Sequence, residues 1–292
     1  YTASADTTIT NAFQADLVTR GTGSNMGYAD SLEVFSIYGQ TSGSVLGRSQ
    51  ELSRMLIKFP VSKIIADRAA TTIPASGSVS FYLRMFNAET PFTLPQDFTL
   101  TVAPVSRSWN EGTGLDMDEY KDLGFANWIS ASSTTGWTSI GGDYLTSSNY
   151  SATFAQGYED LEVDITHLVE RWVKGSSGGG IDNYGVGIHL TASQEAYHSS
   201  STGADSGSVI NNLVGSTDSY YTKKFFARSS EFFFKRPRLE ARWNGAIKDD
   251  RAKLNAKKSY VAVNTQNVYL YNLVDGVLTD LTFTAGQEIY FS

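Results

Sequence analysis

Apolar and polar residues alternate through most of this chain, and turn-forming residues cut the alternation into short runs. Leu32-Glu-Val-Phe-Ser-Ile-Tyr38 is one run, closed by a Gly/Ser-rich turn. Arg54-Met-Leu-Ile-Lys-Phe59 sets Met55, Ile57 and Phe59 on one face and Arg54 and Lys58 on the other. Pro60, with no ladder donor, stops it. Val79, Phe81, Leu83 and Met85 alternate with Ser80, Tyr82 and Arg84, and Phe98–Val102 keeps the same period. Gly185–Thr191, Thr222–Ala227 and Pro237–Trp243 read as further strands.

The period changes once. Within Leu161–Gly175, Ile165, Leu168, Val169 and Trp172 recur at helical spacing, Asp164 or Thr166 can cap the start, and Gly175 suits a left-handed C-terminal position. Many short strands with one short amphipathic helix predict an all-β fold, a jelly-roll-like β-sandwich over residues 1–244. The segment from Trp109 to Tyr158 reads as a long loop with a short strand near Ser151–Phe154, anchored by tryptophan rings. Trp137 is expected to be the freest of the tryptophans. Ser199–Ser219 is polar and small, and is expected to be an exposed, mobile loop.

Residues 245–292 are expected to form a linker and a small C-terminal β appendage serving as an assembly contact. Gly245–Ser259 is charged and lacks an apolar period, and strands are predicted at 268–273, 278–281 and 288–292. The last of these is expected to pair with another segment or another copy.

Composition narrows the function classes. Hydrophobic residues make up 41% and charged residues 18%, enough apolar material for a sizeable core. There is no cysteine, which removes disulfides and thiolate metal sites and leaves the compartment open. No apolar run is long enough to span a membrane. The first residue is not methionine, which points to a processed chain or a piece of a longer one.

Net charge is −7, yet Lys223–Lys258 holds 12 Lys/Arg against 4 Asp/Glu. A basic stretch on an acidic body is expected to meet the acidic surface of its own fold or of a neighbouring copy rather than nucleic acid. Lys223, Lys224, Lys235 and Arg236 are the candidate assembly residues.

Candidate chemistry is sparse. Gly175-Ser-Ser177-Gly-Gly179 fits the pattern G-x-S-x-G but follows a helix, where the strand-to-helix elbow that exposes a nucleophile cannot form. His167, His189 and His198 read as structural rather than zinc-binding residues. Glu159 and Asp160 read as surface carboxylates, not a glycosidase pair. Asp116, Asp118 and Glu119 bunch hard oxygen ligands and form a calcium candidate. Arg54, Lys58, Tyr82 and Arg84 are read as outward and could form a platform for an anionic sugar on one sheet face. No catalytic residue and no cofactor are expected.

A set of motifs in order carries a resemblance. Ala5-Asp6, Asn25-Met-Gly27, Arg54-Met-Leu-Ile-Lys-Phe-Pro60 and Val105-Ser-Arg-Ser-Trp-Asn-Glu111 come first. Asn127-Trp128, Val163-Asp-Ile-Thr166 with Trp172 and Gly175, Arg228-Ser-Ser-Glu231 and Arg236–Trp243 follow. From about Ser4 to Asn244 the chain resembles the DNRLRE family, disaggregatase-related β-sandwich modules with carbohydrate-binding relatives. Pro60 stands where that family's strand carries an acid. With Glu231-Phe-Phe-Phe-Lys-Arg-Pro237 and Val268-Tyr-Leu-Tyr271, the chain looks more specifically like virion structural proteins of marine tailed phages. The resemblance implies a non-enzymatic virion component on the particle exterior: capsid decoration, neck, tail or fibre. Its partners would be other virion proteins and copies of itself. The alternative is an extracellular or cell-surface carbohydrate-binding module or adhesin for an anionic polysaccharide.

Overall fold

The computed structural model describes residues 1–40, 48–91, 94–199, 207–245, 273–274 and 277–279. It divides into two compact units, Tyr1–Trp243 and Asn244–Ser292. The first is an all-β sandwich. Its strands are β1 Ala5–Thr10, β2 Ser31–Gln40, β3 Arg48–Lys58, β4 Ser80–Met85, β5 Phe98–Pro104, β6 Ser130–Ser132 and β7 Thr135–Gly136. They continue with β8 Tyr150–Phe154, β9 Leu161–Asp164, β10 Val186–Leu190, β11 Tyr220–Phe226 and β12 Arg238–Arg242. Helices α1 Val61–Ala69 and α2 Thr166–Lys174 complete it.

The large sheet has seven strands in the order β11-β2-β3-β10-β5-β8, with β1 added on β3. β3 is the spine: β2 pairs with it over Arg48–Ser53 and β1 over Ser53–Lys58, all antiparallel. The small sheet, β12-β4-β9, lies opposite. The main core between them holds Met55, Ile57 and Val102 from one sheet and Phe81, Leu83, Leu161 and Leu239 from the other. Stacked Phe98 and Phe154, 5.0 Å between centroids, close one end of it.

Helix α2 packs as its spacing predicts. Leu168, Val169 and Trp172 are buried and Gly175 ends it at φ 65°. Its start is fixed by Asp164, whose Oδ1 accepts bonds from the N–H (2.9 Å) and hydroxyl (2.6 Å) of Thr166.

A second helix, α1, is an addition to the single one expected. Pro60 ends β3, but it also stands at the N-cap of α1, where its fixed φ and missing N–H cost nothing. Val61 and Ile64 turn into the core, and Arg68 grips Glu170 of α2 through two bonds of 2.9 and 2.6 Å.

The larger departure is a second core on the outer face of the large sheet. Ile9, Leu52 and Leu56 are covered there by Val105, Trp109, Ala126, Trp128 and Trp137. The expected 109–158 loop is therefore largely a covering layer that includes the β6–β7 hairpin, and its last part, β8, joins the edge of the large sheet beside β5. Each of its three indoles donates to a carbonyl at 2.8 Å: Trp109 to Tyr184, Trp128 to Ser208 and Trp137 to Asn127. Trp137 is buried; Trp243, 44% exposed, is the open one.

The described part of the 199–219 loop is also tied down. Gln50 Nε2 donates to Ala196 and Ile210 (both 2.9 Å), and Asn212 Nδ2 to Ala192 at 2.7 Å.

In the second unit, β13 Leu273–Val274 pairs with β14 Val277–Leu278. The rest of the predicted strands 268–273 and 278–281, and all of 288–292, lie outside the described residues. Among the described residues, no helix is long and apolar enough to cross a membrane.

Candidate functional site

The proposed sugar platform does not assemble. Arg54 is 8% exposed, because its face of β3 lies under the second core. Its Nε and Nη2 donate to Glu195 Oε1 and Oε2 at 2.9 and 2.7 Å, and Nη1 donates to the Gly141 carbonyl at 3.0 Å. The guanidinium lies 5.4 Å from the Trp128 ring and 5.8 Å from Tyr144. His189 lies against Tyr144 with the rings tilted, 5.3 Å between centroids, and burial holds its imidazole below the ordinary value. This is a satisfied structural cluster. Lys58 shares Arg54's face on β3, whereas Tyr82 and Arg84 lie on the opposite outer face, on β4 of the small sheet. The Tyr82 ring is already covered by Arg242 (4.2 Å), and Arg84 pairs with Glu162 at 3.1 Å.

The assembly residues separate in the same way. Lys223 is 1% exposed and donates to Asn87 Oδ1 (2.6 Å), Gly157 O (3.0 Å) and Glu159 O (2.7 Å). Burial pushes its ammonium down to about 8. It cannot reach another molecule. Lys224 is paired with Glu33 at 2.5 Å. Lys235 is exposed over the rings of Phe226 (4.8 Å) and Phe232 (5.6 Å), and Arg236 Nε donates to Ser230 O at 2.9 Å.

The calcium candidate is a loop cap. Asp116 Oδ1 accepts from the backbone N–H groups of Asp118 (2.8 Å), Glu119 (2.7 Å) and Tyr120 (3.1 Å). These bonds, Tyr120's first, hold its carboxyl below the ordinary value. Asp118 turns away to accept from Ala15 N–H at 3.2 Å. Among the described residues no three His, Cys, Asp or Glu side chains gather as a metal site.

Several of the sequence motifs do converge, on one polar latch. Glu111 accepts from Asp6 N–H (2.7 Å) and from Arg228 Nε and Nη2 (3.0 and 2.8 Å). Asp6 Oδ2 accepts from Arg228 N–H at 2.6 Å. Asn25 Nδ2 donates to the Glu111 and Ala126 carbonyls (2.6 and 2.8 Å), while its Oδ1 accepts from Gly27 and Gly114 (3.0 and 3.1 Å). A Cβ at Gly27 or Gly114 would strike the neighbouring backbone, so only glycine lets these loops approach.

The latch contains a group under tension. Asp6 is 1% exposed and its Oδ1 has no partner, and burial pushes its carboxyl up to about 7, with Glu111 adding to the rise. The folded chain then holds a proton that the unfolded chain releases above 3.8. This contribution to stability is full below 3.8 and is lost as pH rises through about 7. It amounts to at most about 4 kcal/mol. Asp6→Asn is expected to flatten the loss of urea midpoint between these pH values, and an unchanged slope would overturn the assignment.

The latch joins the two halves of one exposed surface. Glu111 opens the loop whose Leu115–Asp118 stretch, with Met26–Ser31 and the outer face of β1 and β2, walls a groove of about 550 Å3. Met26, Tyr28, Phe35 and Met117 line it, and Asp30, Glu33, Asp116 and Asp118 give it an acidic character. Arg228 leads instead into the 3-10 turn Phe233–Lys235, where Phe232, Phe233 and Phe234 are 52%, 61% and 78% exposed. The halves adjoin: Phe226, in edge contact with Phe232 at 5.3 Å, pairs with Ser31 of the groove, and Ala227 N–H donates to Asp30 O at 2.9 Å. Three consecutive phenylalanines were legible as residues, but nothing in their period placed them in water. Neither a family model nor a curated protein matches this chain.

Proposed function

We propose that this protein is a non-enzymatic structural component of a virus particle, assembled in multiple copies on its exterior. The observation that carries the reading is the solvated Phe232–Phe234 turn beside an acid-rimmed apolar groove. Its three residues leave on the order of 300–450 Å2 in water, near half of one partner's share of a standard interface. Apolar surface of that extent matches the largest patch of an ordinary monomer, a patch that is often functional, and it supports a docking role here. The buried ionisable groups fit the reading too. Arg54, Glu195 and Lys223 are each committed to structural bonds. The order of motifs that resembles virion β-sandwich modules suggests the particle context.

The polysaccharide-binding alternative has thinner support. The polar hollow of about 430 Å3 around Arg107, Thr138 and Asp143 could meet sugar hydroxyls. The adjoining indole of Trp137 is buried and offers no ring face for stacking.

Sedimentation velocity and electron microscopy on the full chain test the first reading. Discrete multimers, or repeated density of this sandwich on particles, are expected. Monomers alone at tens of micromolar, with no particle density, would refute it.

A further inference from the structure

Resting on that assembly reading, we infer that the occupant of the acidic groove is the Phe233–Phe234–Lys235 turn of a second copy of this chain, inserted reciprocally about a two-fold axis. The groove and the turn are complementary in two respects. The groove offers methionine and aromatic walls with exposed Asp30 at its rim, while the turn offers two of the most exposed aromatic rings in the described residues with exposed Lys235 beside them. Its volume of about 550 Å3 lies in the roughly 300–1,000 Å3 range of clefts that bury compact apolar ligands.

Their placement sets the symmetry. Ser31 lines the groove and pairs with Phe226, and Phe226 touches Phe232, so donor and acceptor patches share one face. Adjacent complementary patches close on themselves when one copy is rotated by half a turn onto another, so that each turn meets the other copy's groove. Patches on opposite faces would instead propagate a chain of subunits. The contact therefore yields a closed dimer, the unit from which a larger assembly would be built.

A charge-swap experiment on the full chain tests this. Lys235→Glu and Asp30→Lys are each expected to raise the dimer dissociation constant at least tenfold by sedimentation equilibrium. Mixing the two variants is expected to restore near wild-type affinity, because both contacts of the mixed dimer then pair opposite charges. Phe234→Ser should weaken the dimer in every combination. If the wild type multimerises and the variants do so equally well, or if mixing restores nothing, this geometry is wrong while the assembly reading stands. A wild type that stays monomeric, including one whose groove is filled by its own residues 244–292, overturns both.

Discussion

Replacing Arg54 by alanine is expected to cost about 3–5 kcal/mol of folding stability, because it strands a charge that the fold cannot hydrate. Glu195 is 5% exposed, and both of its carboxylate oxygens are spent on the Arg54 fork. Glu195→Ala should cost a similar amount, leaving the guanidinium without its carboxylate and held only by neutral groups, the Gly141 carbonyl, the Tyr144 hydroxyl and the flanking rings. The informative variant is the double replacement Arg54→Met with Glu195→Leu. No buried charge remains in it, and the Gly141 carbonyl keeps a donor in the Tyr144 hydroxyl at 2.8 Å. It should lie within about 2 kcal/mol of the wild type, far less destabilised than the sum of the single changes. Urea midpoints at constant m-value measure all three. Singles that each cost less than about 1 kcal/mol and simply add would show that the pair is not the buried unit described.

Lys223→Ala should be comparably severe, by a different route. The ammonium donates to Asn87, Gly157 and Glu159, which lie in the segments joining β4 to β5 and β8 to β9. Its stem runs between Phe154 and Phe225, whose centroids lie 5.0 and 4.8 Å from the nitrogen. Alanine leaves three acceptors unpaired and opens a cavity, together about 3–5 kcal/mol. Lys223→Met refills the space and should recover a part of this loss. The pH dependence separates charge from packing. The folded ammonium loses its proton near 8 and the unfolded one near 10.5, so its contribution to stability is full above 10.5 and is lost as pH falls through about 8. The deficit of the methionine variant should therefore widen as pH climbs across that interval. A constant deficit would place the nitrogen in water.

These two residues also show where the sequence was readable. The period of two located most of the strands, and the helical stripe Ile165, Leu168, Val169, Trp172 located α2, since each depends on burial against a single core. Arg54 was assigned to an outward face because it alternates with Met55 and Ile57. Yet Leu52 and Leu56 share its side of β3, and two leucines beside an arginine signal a face that is covered as well. Lys223 shares Phe225's side of β11 by plain alternation, opposite Val34 as Phe225 is opposite Leu32, so its burial was legible in the period and only its charge argued against it. Helix α1 was hidden behind Pro60, a residue that ends a strand and opens a helix with the same ring. The groove and the phenylalanine turn meet only through tertiary pairing, with some 200 positions between Ser31 and Phe232, so their adjacency had no local trace.

The Asn25 hub separates the residues that hold the fold from those that merely stand outside it. Four bonds from one amide tie the Asn25–Gly27 turn to the base of the 111–126 segment, while Leu17, Val18, Tyr120 and Leu123 in the flanking loops stand largely in water. Substitutions at those outer positions should therefore leave the sandwich standing, since exposed side chains contribute little to folding, whereas a change that breaks the amide's four bonds should unfasten both loops at once.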